Sequence, residues 1–111
     1  MVYLEDMICN KITKIILPAV RIRMAEEMRS RYNLKEKEIA DILGINQVAI
    51  SKYLNGKYSA QIKEISHAIG KNEMVEEKTK QIIALHNRSE INKVLNNICE
   101  VIVLEKTGVL K

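Results

Sequence analysis

The stretch LGINQVAISKYLNG, residues Leu43–Gly56, decides how this chain is read. A glycine stands between two apolar residues, an asparagine follows two positions later, and an eight-residue run then closes on Asn55-Gly56. Asn46 is suited to cap a helix over Gln47–Leu54, because its side-chain oxygen can accept from the free N–H groups of a first turn. Gly44 suits a joint that needs a positive φ, where a β-carbon costs about 1 kcal/mol or more. Successive helical residues turn by ~100°. With Ile50 inward, Leu54 falls on the same side and Tyr53 on its flank. Val48, Ser51, Lys52 and Asn55 fall opposite, and Gln47 sits at the N-terminal tip. That outward face offers amide, hydroxyl and amine groups but no nucleophile with its base, no paired carboxylates and no metal-ligand set.

Working outward, a short helix is expected at about Lys35–Leu43, with Ile39, Ile42 and Leu43 inward and Gly44 ending it. Ala40 faces the crossing with the next helix, where a larger side chain would push the two apart. Before it, a helix over Pro18–Tyr32 buries Ile22, Ala25 and Met28, with Val20 as a further candidate, and Asn33 ends it because asparagine tolerates the left-handed conformation. An amphipathic helix over Leu4–Leu17 comes first, and Pro18 steers Leu17 away from helical angles between the two. After the decisive stretch, a helix over Ser59–Ile69 carries Ile62, Ile65 and Ile69 on one face, with Gly70 as its stop. Two more are expected at Glu73–His86 and Ser89–Glu105, with Ser89 as the cap between them. The last has Ile91, Val94, Leu95, Ile98 and Ile102 on one stripe. That stripe is nearly a heptad seam, and it fits either packing within the chain or a homodimer interface.

The composition agrees with an all-α chain. Among 111 residues there are 17 Ile but no Trp or Phe, so the core is aliphatic, and one Pro with four Gly leaves few enforced breaks. The expected architecture is a five- to seven-helix domain whose N- and C-terminal helices pack together or form a dimer interface. Its parts are an N-terminal helix at 1–17, a core unit at 18–70 and a helical extension at 71–111. The formal charge is +4, and Val20–Tyr58 holds eight basic residues against five acidic ones, which is most of that excess. A local positive potential of this size favours a polyanion, although a solvated surface gives the same count.

Cys9 and Cys99 lie ninety positions apart without a CxxC pattern and read as buried free thiols, with a disulfide or redox switch as the alternative. Glu64 and His67 are one helical turn apart, but two residues make no metal site. Asn87-Arg88-Ser89 matches a glycosylation triplet that has no meaning in a cytoplasmic protein. No signal-peptide layout and no window near the ~20 apolar residues of a membrane span is present, so a cytoplasmic protein is expected.

The segment EKEIADILGINQVAISKYLNG (Glu36–Gly56) resembles a helix-turn-helix of the Cro and phage-repressor type, with apolar Ile39, small Ala40, apolar Leu43, turn Gly44, apolar Ile45, and Ile50 and Tyr53 inside. The wider layout is similar to a group of small archaeal transcriptional regulators, through ILPAVRIRMAEEM (Ile16–Met28), ISKYLNG (Ile50–Gly56) and NNICEVI (Asn96–Ile102). The resemblance implies a sequence-specific DNA-binding regulator with double-stranded DNA and a second copy of the chain as partners. It assigns base reading to Gln47, Val48, Ser51 and Lys52, and backbone contact to Lys35, Lys37, Asn55 and Lys57. Gln47 would pair with adenine, Val48 would meet a thymine methyl, and Lys52 would reach guanine or phosphate. Relatives of this kind commonly carry a CxxC-like pair near the C-terminus. Here Cys99 is followed by Glu100–Val103 with no second cysteine, so no metal or thiol role is carried over. No cofactor and no small-molecule effector site is expected within this chain. A different class of function, an antitoxin-like protein-interaction module whose DNA binding is secondary, also fits the terminal apolar helices. An enzyme does not fit.

Overall fold

A computed structural model describes residues 12–70, 72–85 and 87–102. The regular secondary structure among the described residues is all helical, with no strand among them. A π-helical turn at Ile12–Ile16 runs into α1 (Leu17–Ser30), followed by α2 (Glu36–Leu43), α3 (Gln47–Leu54), α4 (Ala60–Ile69), α5 (Glu73–Ala84) and α6 (Arg88–Ile102).

The break expected at Leu17 does not form. Ile16 has φ −70° and ψ −49°, and the chain passes helically into Pro18 at the first turn of α1. The reason lies in the turn before it. A proline ring crowds the carbonyl four residues back, and a π turn shifts that carbonyl into a wider i→i+5 pattern. The remainder of the expected Leu4–Leu17 helix, Cys9 with it, lies outside the described residues. At its other end α1 stops at Ser30 rather than Tyr32, and Asn33 takes φ 54° as the chain turns toward α2.

α1 is the axis of the molecule and packs against the π turn and all five other helices. Its buried residues are Ala19, Val20, Ile22, Met24, Ala25 and Met28, all with no exposed surface. At ~100° per residue these point to several faces rather than one stripe, as expected of a helix enclosed on most sides. The same core cluster takes Ile39 and Leu43 from α2, Ile50 from α3, Ile69 from α4, Val75 and Ile82 from α5, and Ile91, Leu95, Ile98 and Ile102 from α6.

The caps explain the remaining boundaries. Asn46 Oδ1 accepts from Ala49 N at 2.8 Å, and Ser59 Oγ accepts from Ile62 N at 3.2 Å. Asn72 Oδ1 accepts from Met74 N and Val75 N at 2.9 and 3.3 Å. α6 is capped by Asn87, whose Oδ1 accepts from Glu90 N at 3.2 Å, and not by Ser89 as expected. The helix therefore starts with Arg88, which has a tertiary consequence described below. α5 ends at Ala84, short of the expected His86, which lies outside the described residues.

Four of the five residues of the stripe on α6 are enclosed by its own chain, and Val94 is half-buried. Ile91, Leu95, Ile98 and Ile102 are each at most 4% exposed, with Cys99 fully buried beside them, and they face α1, α5 and the π turn. Of the two uses this stripe allowed, packing within the domain is the one seen. Burial pushes the Cys99 thiol up to about 12 from 9.0; Arg21 partly opposes this and Glu100 adds slightly to it. The thiol is therefore protonated and unreactive near neutral pH.

Candidate nucleic-acid interface

α2 and α3 form the unit on which function turns. The joint starts with Ala40 O, which accepts from Gly44 N at 2.8 Å and from Ile45 N at 3.2 Å, so the chain reverses directly off the end of α2. Gly44 takes φ 73°. Ala40, the small residue expected at the crossing of α2 and α3, is 5% exposed and belongs to the core. Ile39, Leu43 and Ile50 close the small core behind this crossing, with Ile45, Tyr53 and Leu54 half-buried at its margin.

α3 is anchored from behind by Ile50, which has no exposed surface. Its front carries Gln47, Val48 and Lys52, all exposed, while Ser51 is half-buried between them. Val48 is 64% exposed, and it is the one large hydrophobic side chain left in water among the described residues. The four positions expected to read bases therefore lie on one helix, three of them fully outward and Ser51 partly shielded.

The backbone candidates separate into two groups. Lys35 and Lys37 are exposed at the start of α2, where Glu38 Oε1 accepts from Lys35 N at 3.0 Å. Lysine has no side-chain acceptor, so only that half of a capping box forms. Glu36 and Glu38 share this first turn, so its side-chain charges cancel, and any pull on phosphate comes from the helix end itself. Asn55 and Lys57 lie just beyond α3, both exposed. Asn55 Nδ2 donates to Ser51 O at 2.7 Å, so this side chain closes its own helix. Lys57 N donates to Lys52 O at 2.8 Å, which fixes the loop that carries its ammonium group. Behind that loop Tyr58 meets Tyr53 edge-on, with centroids 6.4 Å apart at 80°, and Lys63 Nζ lies 5.8 Å over the Tyr58 ring.

Two arginines that sequence reasoning passed over brace this unit. Arg23, on α1, donates from Nε to Gly70 O at 3.2 Å and pairs through Nη1 with Glu26 at 3.0 Å, tying the end of α4 to the axis. Arg88, at the start of α6, donates from Nη1 to Ile42 O at 2.8 Å and from Nη2 to Asp41 O. Its guanidinium lies over the turn so closely that a β-carbon on Gly44 would stand 2.6 Å from Nη1. With Ser89 as the expected cap Arg88 falls before the helix, so the sequence carries no signal for this role; the Asn87 cap is what puts it in the first turn of α6.

Other residues weighed from the sequence do not join the site. Glu64 and His67 are exposed on α4, and among the described residues no group of three His, Cys, Asp or Glu side chains is placed to hold a metal. No described helix is long and apolar enough to cross a membrane. No curated protein and no solved structure matches the chain. Residues 26–68, from the second half of α1 to the last turn of α4, match the family model described as Helix-turn-helix.

Proposed function

We propose that the protein is a sequence-specific transcriptional regulator that acts by occupying an operator, with α3 in the DNA major groove. The observation that carries this reading is the two-sided character of α3. Ile50 is fully buried on one side, Val48 and Lys52 stand in water on the other, and Gln47 is exposed at the N-terminal tip. A valine 64% exposed loses the benefit of burial in the free protein. Against the methyl group of a thymine it recovers an apolar contact. In this reading Gln47, Val48, Ser51 and Lys52 meet base edges, and Lys35, Lys37, Asn55 and Lys57 meet the backbone. Asn55 is the weakest member, because phosphate must compete with Ser51 O for its amide.

A homodimer belongs to the same proposal. One short helix offers four side chains, and a good base pair contact adds only ~1–3 kcal/mol of discrimination. Two copies on a near-palindromic site, with recognition helices ~34 Å apart, double that number. The α6 stripe is buried within the chain, so the support for pairing is this specificity argument and not an open apolar seam. Kinship with small archaeal regulators and a cytoplasmic location complete the reading, on the segments quoted above and the absence of a spanning helix among the described residues.

Selection of bound duplexes from random DNA, followed by footprinting, tests it. A defined sequence with two half-sites is expected, and Gln47→Ala should relax preference at one position in each. Identical footprints for the wild type and a Gln47/Ser51/Lys52 triple alanine variant would remove α3 from the interface. Light scattering that finds a monomer at binding concentrations would remove the dimer. Capture of an unrelated protein in place of DNA binding would favour the interaction-module alternative.

A further inference from the structure

We propose that Arg88 is a positioning residue for DNA recognition, through which the C-terminal helix α6 sets the geometry of the turn that aims α3. The inference rests on the reading of α3 as the base-contacting helix. Its grounds are structural and begin with the end of α2. The last carbonyls of a helix lack intrahelical donors. Ala40 O receives two, from Gly44 N and Ile45 N, which leaves Asp41 O and Ile42 O to be satisfied from elsewhere. The Arg88 guanidinium supplies both from one planar fork, 46 and 47 residues away in sequence. Its charge sits at the negative end of the α2 dipole, which offsets its unfavourable place at the start of α6.

The same group covers Gly44, the residue from which the chain departs for α3. A β-carbon there would stand 2.8 Å from Cζ as well as 2.6 Å from Nη1. Glycine at this joint therefore has two causes, the positive φ and the arginine lying on it. α6 is in turn fixed to the core by Ile91, Leu95 and Ile98. The path from the C-terminal helix to the recognition helix is then one side chain long: α6 core, Arg88, the Asp41–Gly44 backbone, Asn46 cap, α3. Without Arg88 the turn samples more conformations, and the apparent affinity falls by the fraction of molecules whose α3 is correctly aimed.

The test uses the full-length protein with Arg88→Ala and Arg88→Lys. The probes are the duplex obtained by selection and a random-sequence duplex of equal length. Amide exchange at Gly44 and Ile45 is followed without DNA. For Arg88→Ala the expected result is a roughly five- to thirtyfold loss of affinity for the selected duplex, the worth of two exposed hydrogen bonds. A smaller loss is expected on the random duplex, with an unchanged salt slope and faster exchange at Gly44 and Ile45. Arg88→Lys keeps the charge but not the fork, so it should recover only part of the specific affinity. If Arg88→Ala fails to fold, Arg88→Lys carries the same comparison. A salt slope reduced by about one would overturn the proposal, because Arg88 would then be meeting phosphate itself. Unchanged exchange at Gly44 and Ile45 would overturn it as well. Failure of the DNA-reading assignment would show differently, as a wild type without sequence preference, while the exchange measurement still reports on the turn.

Discussion

Gly44→Ala, made alone and in the Arg88→Ala background, gives the most direct check on the packing of the turn. An L-residue forced to φ 73° costs ~1–2 kcal/mol. The new methyl group would also lie 2.6 Å from Arg88 Nη1, well inside van der Waals contact. The guanidinium is the mobile end of a long side chain, so it gives way before the backbone does. In moving it loses its bonds to Ile42 O and Asp41 O. Arg88 is exposed, so about 0.5–1 kcal/mol applies to each, toward the lower end for a hydrogen bond. Gly44→Ala should therefore cost about 2–4 kcal/mol in the wild type. In the Arg88→Ala background only the backbone part remains, about 1–2 kcal/mol. The difference, a coupling of about 1–2 kcal/mol, is what the double-mutant cycle reads. The entropy that alanine removes from the unfolded chain enters both arms equally and cancels. Urea unfolding followed by circular dichroism at 222 nm supplies the four stabilities. Additive costs, within about 0.5 kcal/mol, would refute the contact between Arg88 and the turn.

Asn46→Ala should lower stability by about 1 kcal/mol through loss of the bond to Ala49 N, while Asn46→Asp keeps most of it, both read as urea midpoints. Ala40→Leu should cost about 1–3 kcal/mol by forcing α2 and α3 apart, and a melting temperature equal to the wild type would contradict the crossing described here. In a Cys9→Ser background, Cys99 should react with an aromatic disulfide reagent at pH 8 only as fast as the chain opens, so denaturant accelerates it; labelling at the rate of a free thiol would contradict its burial. The pH dependence has a definite sign. The Cys99 thiol titrates at about 12 folded against 9.0 as an unperturbed group, so its contribution is fully present below pH 9. Between those values only the unfolded chain releases the proton, and stability falls as pH rises. Cys99→Ala should remove that part of the slope.

Much of the fold was legible in the sequence because its signals are local. Asn46 and Ser59 mark helix starts through bonds to amides three residues away, and Gly44 marks a stop through its own φ. α3 occupies Gln47–Leu54 as its cap and the Asn55-Gly56 close imply, and the inward Ile50 follows from periodicity alone. The outward placement of Val48 and Lys52 follows from the same count, and that of Gln47 from its place at the N-terminal tip. Where the reading departed from the structure, competing local rules were at work. Pro18 predicted a break, and a π turn removed the need for one. Asn87 and Ser89 are both good caps two residues apart, and the choice between them is not local.

The sequence by itself determined that this is an all-α chain carrying a helix-turn-helix, and which face of α3 is free, because caps, turns and helical periodicity act over three or four residues. Tertiary structure alone decided that α1 is the axis, so that Met24 and Ala19 are buried as fully as Ile22. It also decided that the α6 stripe closes the chain's own core and that Arg88 reaches across 46 positions to the end of α2. Those outcomes depend on which surfaces meet. A stripe specifies that a face must be covered but not by what, and a guanidinium finds whichever carbonyls the packed helices leave unpaired within its reach.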